Sequence, residues 1–260
     1  MSKAKARPSR WVVKAGSQMV CAGGPLLIRA WMKQIADLRK KHGIEVIWVT
    51  SGAIASAVER TGFHGHKRSL PEKQALSAVG QPIVMDLYNI ALQTNGLLGA
   101  QILLTYDDLA HAKRRKNLQN TLETLLKWKV TPILNENDAV ATEEIKFGDN
   151  DSLSAKVANV MGADRLVILT DVAGFYEADP KKNPKARLIA HLPKVTAQHL
   201  AQVSQADVSD RGTGGMFSKL SAAREASSQG IETWLVQGDR PDVLFEVARN
   251  QRVGTTIGSA

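Results

Sequence analysis

The stretch Val46-Ile47-Trp48-Val49-Thr50-Ser51-Gly52-Ala53-Ile54-Ala55 decides the fold. Its first five residues are apolar or β-branched, too few for a helix, and show no polar alternation, so they read as a strand buried on both faces. A hydroxyl pair and a glycine close the strand, and a helix begins at the glycine with Ser51 in the capping position. A strand that feeds directly into a helix is the opening half of a strand-helix-strand unit, which belongs to parallel sheets covered on both faces.

The same pattern recurs on either side. Trp11–Lys14, Ala100–Thr105, Thr131–Asn135, Leu166–Thr170 and Glu232–Gln237 read as further buried strands. Leu26–His42 carries Leu27, Trp31, Ile35 and Leu38 at helical spacing, with Gly43 as its stop. Pro71 opens a second long helix to about Asn95, and Asn117–Trp128, Ser152–Met161, Gly215–Ser228 and Pro241–Arg249 supply others. This alternation predicts an α/β fold, an open three-layer αβα sandwich around a mainly parallel sheet. No repeat or low-complexity linker divides it, so one domain is expected over residues 11–260 after a basic tail at 1–10.

Composition narrows the classes. The chain has 260 residues, 43% hydrophobic and 23% charged, with a single cysteine, Cys21. That balance excludes disordered, collagen-like and disulfide-stapled chains, and one cysteine cannot form an internal disulfide, so a reducing, cytoplasmic setting is expected. No apolar run of about 18 residues exists to span a membrane. The formal charge of +9 raises nucleic acid as a partner. Its distribution argues otherwise. Lys3, Lys5, Arg7 and Arg10 in the tail, and Lys113, Arg114, Arg115, Lys116, Lys127 and Lys129 against Glu123, account for all of it. No aromatic interrupts Lys113–Lys116, so no base-stacking platform is visible, and a solvated helix start or subunit rim is the simpler reading.

In open parallel sheets, ligands bind beyond the carboxyl ends of the strands. The first strand ends Val13-Lys14-Ala15-Gly16-Ser17, where an ammonium, a closely approachable backbone and a hydroxyl suit phosphate. Helix N-termini at Gly52 and after Gly212-Thr213-Gly214-Gly215-Met216-Phe217-Ser218-Lys219 offer N–H donors to an anion. The latter segment has neither the P-loop spacing nor that of the dinucleotide fingerprint. Asn135-Glu136-Asn137-Asp138 and Gly148-Asp149-Asn150-Asp151 form two acidic-amide clusters, costly together unless a cation answers them: a substrate ammonium, a lysine or Mg²⁺. Ordinary capping and loop chemistry explains either cluster alone. The fifth strand ends Leu169-Thr170-Asp171. These features together describe a nucleotide-dependent phosphoryl transferase, with no set of residues at metal-ligand spacing.

Taken in order, these segments, with Leu70-Pro71-Glu72-Lys73-Gln74-Ala75 through Ala78-Val79-Gly80-Gln81 and Leu103-Leu104-Thr105, resemble the amino acid kinase family and its glutamate-phosphorylating branch over residues 11–256. The paired Asn-Glu-Asn-Asp and Gly-Asp-Asn-Asp segments are the part specific to that branch. The resemblance implies ATP-dependent phosphorylation of the side-chain carboxylate of L-glutamate to L-glutamyl 5-phosphate, the first step of proline biosynthesis. It implies Mg²⁺ carried mainly on the ATP phosphates, a homo-oligomer (dimer or tetramer) and inhibition by proline. By the same resemblance Lys14 and Lys219 stabilise the transferring group and Asp171 orients the lysines. Ser51, Asp138, Asn150 and Asp151 hold glutamate. Lys14, Gly16, Ser17, Gly52, Ala53, Thr170, Asp171, Thr213, Gly214, Gly215, Met216, Phe217, Ser218 and Lys219 contact ATP.

The chain departs from the family pattern at Gln18, Ala57 and Gln119, where a hydroxyl residue, glycine and arginine are usual. Many members also carry a small C-terminal domain of an RNA-binding type, for which the resemblance gives no counterpart. Alternatives are an acetylglutamate- or aspartate-directed member of the same family and a non-catalytic nucleotide-sensing relative. Asp138, signed for a free ammonium, separates the first from a glutamate kinase.

Overall fold

A computed structural model describes residues 7–64, 68–141, 150–180, 182–204 and 215–258. The strands are β1 (Arg10–Ala15), β2 (Glu45–Val49), β3 (Leu98–Leu104), β4 (Val130–Glu136), β5 (Arg165–Thr170), β6 (His191–Leu192), β7 (Glu232–Gln237) and β8 (Thr255–Ile257). They form one eight-stranded sheet in the order β3-β4-β2-β1-β5-β7-β8-β6. Pairing is parallel except where β8 runs antiparallel to β7. The mainly parallel sheet read from the sequence is thus observed, with β6 and β8 added at one edge. Those two strands are too short to carry a periodic signal.

Among the described residues the helices are α1 (Ser17–His42), α2 (Ala53–Thr61), α3 (Leu70–Gln93), α4 (Tyr106–Ala110), α5 (Ala112–Lys127), α6 (Asn150–Met161), α7 (Ala197–Ser204), α8 (Met216–Ser228) and α9 (Val243–Ala248). Strand alternation divides the core into two layers. Trp11, Val13, Ala15, Val46 and Trp48 face α1, α3 and α9, while Val12, Ile47, Val49 and Leu134 face α5, α6 and α8. This is the expected αβα sandwich. None of the described helices is long and apolar enough to cross a membrane.

Several boundaries differ from the sequence reading, among them the start of α5, at Ala112 rather than Asn117. The helix expected from Leu26 begins at Ser17, with its break at Gly24 (φ 54°, ψ −154°) just before Pro25. Proline cannot donate to the preceding turn, so the break reads as a start when only periodicity is followed. Arg10, counted with the basic tail, is instead the buried first residue of β1. Its guanidinium donates to Glu45 (2.8 Å), to Glu123 (2.7 Å) and to the Met161 carbonyl (3.1 Å). Arg7 pairs with Asp164 at 2.8 Å. The acid of the basic segment, Glu123, is therefore committed to the sheet's lower end.

Because β1 and β2 are adjacent and parallel, α1 and α2 start at the same edge of the sheet. Gly52 caps α2 with φ 100°, and a Cβ there would meet Val20 and Cys21 of α1 at 3.4 Å. A side chain at that position would be strained and would push the two helix starts apart.

Candidate active site

Lys14 lies on the β1 face opposite Val13 and Ala15, directed toward α6 and α8 at the carboxyl end of the sheet. There its Nζ meets Asp151 Oδ1 at 2.5 Å. Lys219, one turn into α8, approaches the other oxygen, Oδ2, at 3.6 Å, and Ser218 Oγ donates to the same oxygen at 2.8 Å. All three charged residues are buried, Asp151 completely. Burial alone pushes the Asp151 carboxyl up, but the Lys14 and Lys219 ammoniums and the Ser218 hydroxyl more than reverse this and hold it well below the usual carboxylate range. An isolated charge could not be kept here, so the cluster persists only as a paired set.

The cluster carries two cations against one anion, next to a helix start that supplies N–H donors. Gly16 precedes α1, and a Cβ at Gly16 would lie 3.5 Å from Lys14 Nζ. The lysine ammonium therefore lies beside the first turn of α1, where Ser17 begins the helix. Gly215 precedes α8 in extended conformation, and Ser218 Oγ also bonds its carbonyl at 2.9 Å. Helix starts and two lysines in one place are an arrangement suited to an anion.

A second wall is amide-rich. Asn150 Nδ2 donates to the Thr50 carbonyl (2.6 Å), Ser51 Oγ (2.9 Å) and Asn135 Oδ1 (2.6 Å). Asn135 Nδ2 in turn donates to Gln81 Oε1 of α3 at 2.7 Å. Asn150 Oδ1 is buried and has no hydrogen-bond partner. One turn before Gln81, Ser77 Oγ donates to Asp138 Oδ2 at 2.9 Å. Burial raises the Asp138 carboxyl above its ordinary value, partly offset by that hydroxyl. An unanswered amide oxygen and a half-desolvated carboxylate make this wall receptive to a cationic group.

The structure therefore brings together Lys14, Lys219, Asp151 and Ser218 in one cluster and Ser51 with Asn150 in the other. Asp138 joins the second through α3. Thr170 is buried at the end of β5 and donates to exposed Asp171 at 3.2 Å. Asp151, expected on the substrate side, is seated between both lysines. Gly16, Ser17, Gly52 and Ala53 open α1 and α2, and Gly215, Met216 and Phe217 open α8. Thr213, Gly214, Gly148 and Asp149 lie outside the described residues. Ser77, Gln81 and Tyr88 were given no role from sequence, yet all three bond the site's own residues or Thr50. The available signal was a polar pair, Ser77 and Gln81, four apart on an otherwise apolar helix face. Of the departures, Gln18 is exposed on α1 and Ala57 is buried against α3. Gln119 bonds the Val160 carbonyl at 3.3 Å.

A model of the amino acid kinase family matches residues 9–237. A glutamate 5-kinase of Geobacter sulfurreducens is 46% identical over 95% of this chain and 66% of its own length. One from Methylibium petroleiphilum is 43% identical over 99% of this chain and 70% of its own. One from Meiothermus ruber is 46% identical over 95% and 65%. The chain thus spans about two thirds of the length of these relatives.

Proposed function

Because the chain belongs to the amino acid kinase family, we propose that it transfers the γ-phosphoryl group of ATP to the side-chain carboxylate of L-glutamate, forming L-glutamyl 5-phosphate, the opening step of proline synthesis. The observation that carries this reading is the pairing of two buried lysines on one carboxylate beside an amide-rich wall with an unanswered amide oxygen. A carboxylate is already nucleophilic at neutral pH, so the chain needs no general base. Its task is to bring two anions together and to stabilise charge as the phosphoryl group moves between them.

In this reading Lys14 and Lys219 neutralise the developing charge on the transferring group, and Asp151 fixes where their ammoniums lie. The first turns of α1, α2 and α8, with Thr170, Asp171 and the segment Thr213–Lys219, receive ATP. Mg²⁺ accompanies its phosphates, and the lysine pair suits a polyanion of that kind. Ser51, Asn150 and Asp138 receive glutamate, with Asn150 Oδ1 and Asp138 facing its α-ammonium. The same reading carries a cytoplasmic setting, a homo-oligomer (dimer or tetramer) and inhibition by proline. Light scattering checks the assembly, and added proline checks the inhibition.

Asp138 separates glutamate from its N-acetylated analogue, since an acetylated nitrogen carries no charge to answer that carboxylate. ATP consumption measured with glutamate, N-acetylglutamate and aspartate should be fastest with glutamate. Preference for the acetylated acid would move the chain to another branch of the family.

A further inference from the structure

We infer that Gln81 is a positioning residue for the acceptor site: its carbonyl anchors Asn135, the middle member of the amide chain that leaves Asn150 Oδ1 facing the substrate ammonium. This rests on the glutamate-kinase reading above. A side-chain amide can point either way, and which end faces a neighbour is decided by that neighbour. Asn135 has acceptors and donors on both sides. Its Nδ2 faces Gln81 Oε1 at 2.7 Å, so its Oδ1 faces Asn150 Nδ2 at 2.6 Å and also accepts from the Glu136 backbone N–H at 3.0 Å. Asn150 consequently spends its amide nitrogen on Asn135, Thr50 and Ser51, and its oxygen is left over.

The chain begins on a rigid element. Gln81 is 7% exposed and lies in the middle of α3, next to Gly80, which presses against the backbone of α2. Ser77, one turn earlier on the same face, holds Asp138. Farther along α3, Tyr88 accepts a hydrogen bond from Thr50 Oγ1 at 3.0 Å. One stripe of α3 thus holds Asp138, Asn135 and Thr50 from behind, without reaching the phosphoryl lysines. Loss of the Gln81 carbonyl leaves Asn135 Nδ2 buried without its acceptor, which loosens Asn135 against Asn150. The Thr50 carbonyl and the Glu136 backbone N–H keep the amide polarity, so the loss falls on how firmly Asn150 Oδ1 is held toward the ammonium.

The test compares Gln81→Met, which keeps length and apolar packing but removes the acceptor, with Gln81→Glu, which keeps an acceptor oxygen. Michaelis constants for glutamate and for ATP are measured alongside thermal unfolding. Gln81→Met should raise KM for glutamate about tenfold or more, with KM for ATP within about twofold of wild type. Gln81→Glu should recover most of the loss. An unchanged glutamate KM in a folded Gln81→Met protein would overturn the inference. So would equal impairment by both variants, or a parallel rise in both Michaelis constants. A wild-type chain inactive on glutamate would instead overturn the reading beneath it.

Discussion

Asn150 and Asp151 are consecutive residues at the start of α6, yet they serve opposite walls of the site. Asn150 closes the amide chain that reaches back to α3, and Asp151 holds Lys14 and Lys219. One helix start therefore fixes the spacing between the amide wall and the lysine cluster.

The lysine half is tested by Lys219→Ala. A charge stabiliser acting on the transferring group should contribute on the order of 10²–10³ in kcat, about 3–4 kcal/mol. Circular dichroism should remain native-like, because Lys14 still pairs with Asp151. Near-normal turnover in the folded variant would remove Lys219 from the chemistry.

Asp151→Asn should lower both activity and stability. It removes the carboxylate seated between two buried ammoniums, a loss of about 3–5 kcal/mol at neutral pH. The pH dependence has a definite sign. The folded carboxyl titrates below its ordinary value of 3.8, so its stabilisation is complete above that value and disappears as the pH falls beneath it. Urea unfolding should show a constant gap between wild type and variant from neutral pH to about pH 5, narrowing only below about pH 4. A gap that narrows on raising the pH would contradict this assignment.

Asp138 should behave in the opposite sense. Its folded carboxyl lies above the ordinary value, chiefly through burial, so the ionised form costs stability as the pH rises through that raised value. The same ionisation is needed to receive an ammonium. KM for glutamate should therefore climb as the pH falls through the Asp138 titration, while KM for ATP stays level. Asp138→Asn should raise the glutamate KM by roughly tenfold or more and abolish that pH dependence.

Gly80 marks the packing on which the acceptor wall depends. A Cβ there would lie 1.8 Å from the Ala53 carbonyl oxygen and 3.0 Å from the Ala57 backbone nitrogen. Both contacts are helical backbone, which cannot yield locally. Gly80→Ala should destabilise by about 1–3 kcal/mol through overpacking, and should weaken glutamate binding by moving α3. Differential scanning calorimetry with a glutamate titration checks both effects.

How much of this was legible in the sequence depends on whether the signal was local. Buried strands at Trp11–Lys14 and Val46–Thr50 were readable because β-branched runs end in glycine and hydroxyl residues, and the strand-end rule then pointed to Lys14, Ser51 and Asn150. The place of Asp151 between the two lysines was not readable, because only the packing of α6 against β1 and α8 brings that carboxylate to them. Gln81 escaped notice because a helix-interior residue declares its role only through Asn135, 54 positions later.

The central claim is that this site phosphorylates the side-chain carboxylate of glutamate. An acyl phosphate reacts with hydroxylamine, so the direct measurement is the formation of glutamyl hydroxamate from glutamate, Mg-ATP and purified chain. The site described here predicts hydroxamate formation that needs both substrates and falls on the order of 10²–10³ with Lys219→Ala. No hydroxamate from glutamate, or a faster yield from N-acetylglutamate or aspartate, would contradict it.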